Sequence, residues 1–178
     1  MGSDDFFHDF SPLQILAKPI NFAFLDGMHH CEFLLRDFMN TEAHCKSNSV
    51  IVLHDCLPLE AGITARDPAK RGVLHPSHEG WWAGDVWRTA LLLKRMRKDL
   101  HMYVLDAPPT GLVVITNLDP SNKVLRQRYT ECVTKMLNWD LEEIGIDAYF
   151  AEMDIQSTHS LQDILATCRT LGADPVPA

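Results

Sequence analysis

Two apolar runs that end abruptly in acid and histidine constrain this chain more than any other feature. Phe22-Ala23-Phe24-Leu25 stops at Asp26-Gly27-Met28-His29-His30, and Val50-Ile51-Val52-Leu53 stops at His54-Asp55-Cys56. Short continuous apolar runs suit strands buried on both faces of a parallel sheet. Pro19 precedes the first, Ile20–Leu25, while residues 49–53 form the second, which opens with β-branched residues. Between them, residues 30–45 change to helical spacing through Phe33, Leu34, Asp37, Phe38 and Glu42. These pieces predict a β-α-β unit with a right-handed crossover. In an open α/β sheet, ligands bind beyond the carboxyl ends of parallel strands. Asp26, His29, His54 and Asp55 are therefore expected in one crevice.

The rest of the chain narrows the class to α/β. Residues 57–83 carry Pro58, Gly62, Pro68, Gly72, Pro76 and Gly80, and read as one long irregular segment. Asp85 is expected to cap the helix that follows, through Val86-Trp87-Arg88 and Ala90-Leu91-Leu92-Leu93. His101–Leu105 and residues 112–118 read as strands, and the link Ala107-Pro108-Pro109-Thr110-Gly111 is too short for a parallel crossover. They must form an antiparallel hairpin. Residues 122–143 read as a helix, and Ser160-Leu161-Gln162-Asp163 as the capping box of a last helix ended by Gly172.

With 178 residues, the chain suits one domain able to bury a core. A formal net charge of -8 argues against a nucleic-acid surface, which would be basic. The basic run Lys94-Arg95-Met96-Arg97-Lys98 falls at a helix end, where it complements the dipole on a solvated face. No apolar run approaches the roughly 20 residues that span a bilayer, and Met1-Gly2-Ser3-Asp4-Asp5 lacks the basic and apolar regions of a signal peptide. Cys31, Cys45, Cys56, Cys132 and Cys168 are an odd, widely spaced set, expected to be reduced thiols of a cytoplasmic protein.

Three motifs carry a family resemblance. Phe24-Leu25-Asp26-Gly27-Met28-His29, Val50-Ile51-Val52-Leu53-His54-Asp55-Cys56-Leu57-Pro58 and Gly84-Asp85-Val86-Trp87-Arg88 resemble the ends of the fourth and fifth strands, and the next helix opening, of class I S-adenosylmethionine-dependent methyltransferases. The branch they resemble acts on small molecules and sugars as an O-methyltransferase. The resemblance implies a three-layer Rossmann-like sheet in which the last two strands form a hairpin and one strand runs antiparallel to the rest. It implies methyl transfer to a small hydroxylated acceptor. Asp26, His54 and Asp55 would then be metal ligands, and Asp4, Asp26 and Gly27 would lie on the cofactor side. The glycine-rich turn of the family's cofactor half does not occur before Asp26. The expectation is a truncated domain, with a core over residues 3–145 and a helical extension over 146–178.

Several roles compete at these residues. Asp26 can ligate a hard cation with Asp55, while His54 favours a softer metal such as zinc; Asp26 can also cap the helix after it. His54 and His29 are the general-base candidates, with His30 a weaker third. His75, His78 and Glu79 have superficial ligand spacing without a recognisable motif. Cys56 next to His54-Asp55 does not make a nucleophile pair, because adjacent strand residues face opposite ways. Trp81, Trp82 and Trp87 offer apolar area that could close over a ligand, and core or interface packing is the role expected of them. Two further readings remain. One is a non-catalytic module in which the exposed strand 20–25 joins a second copy or is covered by residues 6–10. The other is a metal-dependent hydrolase using Asp26, His29, His54 and Asp55.

Overall fold

A computed structural model describes residues 1–160, together with 162 and 166. The proposed capping box at 160–163, the helix ended by Gly172, and Cys168 lie largely or wholly outside the described residues. The protein is mixed α/β, with a five-stranded sheet in the order β1-β2-β4-β3-β5. The strands are β1 (Ile20–Leu25), β2 (Cys45–His54), β3 (His101–Leu105), β4 (Leu112–Thr116) and β5 (Ile155–Gln156). β1 and β2 are parallel, joined across α3 (Cys31–Glu42), as the β-α-β reading requires. β3 and β4 form the expected antiparallel hairpin, and β4 inserts antiparallel beside β2. β5 pairs parallel with β3. β4 alone therefore opposes the direction of its neighbours. β5 had no sequence signal, because a strand of two residues carries no period.

Strand alternation divides the sheet into two unlike faces. On one face Ile51, Leu53, Val104, Val113 and Ile115 join a large core with α3, α4 (Trp87–Met96), α6 (Tyr129–Leu137) and α8 (Ile146–Met153). The other face carries a small cluster of Val52, Leu105 and Val114, with Val50, Tyr103 and Leu112 against it. Phe22 and Phe24 extend that strip onto β1, across from Val50 and Val52, and both are exposed. The N-terminal helices, α1 (Ser3–Asp9) and α2 (Pro12–Leu16), had not been expected as helices. Arg36 on α3 forks onto Asp4 of α1, so α1 docks on α3. Residues 6–10 thus leave Phe22 and Phe24 uncovered, against the covering expected of them.

Two other expectations change. The helix read over 122–143 is broken into α5 (Val124–Gln127), α6 and α7 (Leu141–Ile144). Asp140 explains the last break, since its carboxylate accepts from the Glu142 and Glu143 amides at 2.7 and 3.4 Å and starts α7 afresh. The basic run 94–98 is not wholly solvated. Arg97 is buried, forking onto Glu42 at 2.7 Å through both terminal nitrogens and reaching Asp99 at 2.7 Å. Residues 57–83 are irregular as expected, with short 3-10 turns at Ala61–Thr64, Pro68–Lys70 and Pro76–His78. Cys31, Cys45, Cys56 and Cys132 are free thiols. No helix of the described residues is long and apolar enough to cross a membrane.

Candidate metal centre

Register builds the site. Leu25 of β1 pairs with Leu53 of β2, so the next residues, Asp26 and His54, emerge side by side at the carboxyl ends of the two strands. Asp55 follows with a left-handed backbone, φ 59°, a conformation that aspartate tolerates better than most side chains. Its carboxylate is buried, and Oδ1 accepts the Thr110 hydroxyl from the β3–β4 connection. That leaves Oδ2 facing the histidines.

Four side chains converge. His29 Nε2 lies 3.2 Å from Asp26 Oδ1 and 3.1 Å from Asp55 Oδ2. His54 Nδ1 lies 3.3 Å from Asp26 Oδ1 and 3.2 Å from Asp55 Oδ2. The second nitrogen of His29, Nδ1, faces the carbonyl of Trp82 at 3.3 Å, and its ring stacks on Trp82 with centroids 4.8 Å apart. A carbonyl can only accept, so Nδ1 carries a hydrogen. Nε2 then faces two carboxylate oxygens, which also only accept. This arrangement is satisfied in two ways: by a second proton on His29, or by a cation between the imidazole and the carboxylates. Asp26, His29 and Asp55 present ligand atoms within 4.8 Å of one another, the spacing of a shared ion.

All four strand-end residues singled out from the sequence thus come together, but the group of shared ligand spacing is Asp26, His29 and Asp55, so His29 stands where His54 was expected and His54 lies beside it against the two carboxylates. Asp26 does not cap α3. The helix starts at Cys31, whose amide donates to Asp85 Oδ1 at 2.7 Å. Asp85, expected to cap its own helix, instead caps α3 across the fold, while α4 starts without a side-chain cap. His30 is an anchor for the long loop, its Nε2 donating to the Arg66 carbonyl at 3.0 Å. His78 pairs with Glu60 at 2.7 Å and stacks on Trp81, while His75 bonds Ser77. Neither joins a group of metal-ligand spacing among the described residues. Cys56 is fully buried, which pushes its thiol up, and Trp87 packs edge-on against Tyr149 in the core.

Sequence reasoning gave no site role to Thr110 or to Gly84, which it read only as part of a motif, and expected Trp82 chiefly in packing; all three shape the site from distant parts of the chain. Gly84 has φ +61°, and a Cβ there would sit 1.9 Å from the His29 carbonyl oxygen. Only glycine lets the loop close so tightly against His29. A second group of ligand atoms, Cys31, Glu32 and Asp85, is already neutralised. Arg66 reaches Glu32 at 2.5 Å and Asp85 at 2.6 Å, and Arg88 reaches Asp85 at 2.8 Å. Burial and the carboxylates beside it push the Cys31 thiol up to about 12, so it does not offer a thiolate.

Beside the His/Asp centre lies a cavity of about 370 Å³ between the start of α1, the Gly27-Met28 turn and α3. Asp4 and Gly27, expected on a cofactor side, both border it. The Asp4 carboxylate, however, is held by Arg36 at 2.8–3.0 Å. Comparison of the chain with protein-family models, with curated proteins and with solved structures found no match.

Proposed function

We propose that this protein holds a divalent cation between Asp26, His29 and Asp55 with His54 beside it, and that the centre acts on the hydroxyl of a small acceptor in a Rossmann-like fold of the methyltransferase type. The convergence of two imidazoles and two carboxylates at 3.1–3.3 Å, with nitrogen facing oxygen that cannot donate, carries this reading. The single antiparallel strand and its hairpin support the fold assignment, alongside the strand-end motifs.

The donor set fits a divalent metal. Two carboxylate oxygens suit a hard ion, and imidazole nitrogen shifts the preference toward manganese or zinc over magnesium. A cation held there supplies Lewis acidity to a bound hydroxyl. His54 is the residue placed to receive the hydroxyl proton. Its ring is partly exposed, and Nε2 has no protein partner among the described residues. The Trp82 carbonyl, accepting from Nδ1, orients His29 so that Nε2 would face the cation.

The residues present do not complete a site for S-adenosylmethionine. The cavity offers the Gly27 backbone and Asp5, but Asp4 is engaged by Arg36, and no glycine-rich turn lies among the residues around it. No step is therefore assigned to the cofactor. The test is calorimetric titration of the chelator-treated protein with manganese and zinc, followed by S-adenosylmethionine at millimolar concentration. We expect one cation per chain, lost in Asp26→Asn and in Asp55→Asn. Absence of cation binding to the intact protein would overturn the centre, while cation binding without S-adenosylmethionine binding would overturn methyl transfer by this chain. A metal-dependent hydrolase uses the same four residues and is distinguished by release of product without a methyl donor. A second copy of the chain is the proposed partner of β1, because that strand pairs only with β2 among the described residues and exposes Phe22 and Phe24.

A further inference from the structure

On the second face of the sheet, Leu105, Val114 and Val52 are 0%, 3% and 7% exposed within the single chain. Among the described residues, the hydrophobic side chains packed against them are Val50, Tyr103 and Leu112, all from the same sheet. Side chains on one face stand side by side, perpendicular to the sheet, so neighbours within the sheet do not roof one another. A second layer has to cover them. The N-terminal helices are placed elsewhere: α1 docks on α3, and Leu13, Ile15 and Leu16 of α2 are exposed. The cover stops short of β1, where Phe22 and Phe24 remain exposed. A second copy of the chain is not needed for it, because the three side chains are already buried within one.

The described chain ends beside this strip. Gln156 of β5 pairs with Leu105, and Thr158 donates through both its amide and its hydroxyl to Asp106 Oδ1, at 2.5 and 2.6 Å. Residues 161–178 follow from there. In their sequence Leu161, Ile164, Leu165 and Cys168 recur at the spacing of one helix face. Gln162 and Ala166, the described positions of this stretch, are helical and exposed. Both fall outside the apolar stripe, as a helix with its stripe turned toward the protein requires. A helix over 161–171 is about 16 Å long, and crossing from β3 over β4 to β2 takes about 10 Å. Length, starting point and apolar period therefore all suit the strip.

We propose that residues 161–171 form an amphipathic helix that docks its Leu161-Ile164-Leu165-Cys168 stripe on Leu105, Val114 and Val52 of the same chain. This segment gives the sheet helices on both faces and leaves β1 as its uncovered strand. The docking depends neither on cation binding nor on pairing of β1 with a second copy.

The test is native-state thiol titration of the full chain. Cys31, Cys45, Cys56 and Cys132 are buried, so Cys168 reports on the stripe. We expect no fast-reacting thiol in the native chain, in dilute and in concentrated solution alike. Leu165→Asp should speed the reaction of Cys168 by about tenfold or more, the scale of one leucine taken out of an apolar contact, with the other thiols still protected. Thr167→Asp, on the polar side of the period, should change that rate by less than about threefold. Methyl-labelled full chain should give nuclear Overhauser contacts from Ile164 and Leu165 to Val114 and Val52. A fast thiol in the wild-type chain, protection lost on dilution, unchanged reactivity of Cys168 in a folded Leu165→Asp, or a protected Cys168 without the methyl contacts would each overturn the proposal. If Leu165→Asp fails to fold, the methyl contacts and the wild-type titration decide it.

Discussion

Thr110 decides how Asp55 can be used, although nothing in its local sequence announces it. Its buried hydroxyl donates to Asp55 Oδ1, leaving Oδ2 for His29 and His54. Thr110→Val keeps the shape and removes the donor, so one oxygen of a buried carboxylate loses its partner. The expected cost is about 1–3 kcal/mol of stability, read by denaturant unfolding. Cation affinity should fall as Asp55 reorients; an unchanged affinity would show that Thr110 does not position it. The strand-end residues Asp26, His29, His54 and Asp55 were legible because a break in apolar pattern marks where a strand stops. Thr110, Trp82 and Gly84 were not, because each owes its role to a contact with residues far away in the chain. Asp85 shows the limit of local reading. An aspartate before a helix is an ordinary cap signal, yet here it serves α3, 54 residues from its partner Cys31.

At the scale of elements, the loop of residues 57–83 is held to the domain by a clasp at Arg66. Arg66 forks onto Glu32 and reaches Asp85, and its carbonyl accepts from His30. Trp82 Nε1 donates to the Ala65 carbonyl at 2.6 Å, which ties the clasp to the ring under His29. Burial by itself would raise the Glu32 carboxyl, but the Arg66 hydrogen bonds and charge bring it down to about 2 from an ordinary 4.5. A carboxyl depressed in the folded state stabilises that state above its unfolded value and ceases to do so as pH falls through its folded value. The clasp is therefore at full strength above about pH 4.5 and weakens between there and about pH 2. The Trp82 indole NMR signal should move across this range, and Glu32→Gln should show the moved position already at neutral pH. Identical acid titrations of Trp82 in the two proteins would refute the clasp. The irregularity of this segment was legible from its prolines and glycines. Its docking was not, because spacing along the chain says nothing about which carboxylates an arginine will meet.

The two faces of the sheet set the problem for the whole molecule. Helices bury one face in a continuous core, while the strip through Phe22, Phe24, Val50, Val52 and Val114 runs out into solvent at β1. Alternation in β1 could not be read as one-sided, because Phe22-Ala23-Phe24-Leu25 is apolar at every position and looks like a strand covered on both sides. The structure gives half of that cover, since Phe22 is 62% and Phe24 50% exposed. β1 is also the edge strand of the sheet among the described residues. Burying a phenylalanine side chain contributes about 1.5–3 kcal/mol. A two-fold pairing of β1 with its copy would bring two such rings from each chain under cover and extend the sheet. Sedimentation equilibrium should then show concentration-dependent dimers of the wild-type chain. Phe22→Lys with Phe24→Lys should give monomers without loss of fold, because both positions face solvent within one chain and charge on an edge opposes pairing. A wild-type monomer at the highest attainable concentration would mean that β1 tolerates its exposure. In that case the two phenylalanines would be free to meet a different partner, and cation binding, whose ligands all come from a single chain, should be the same in both proteins.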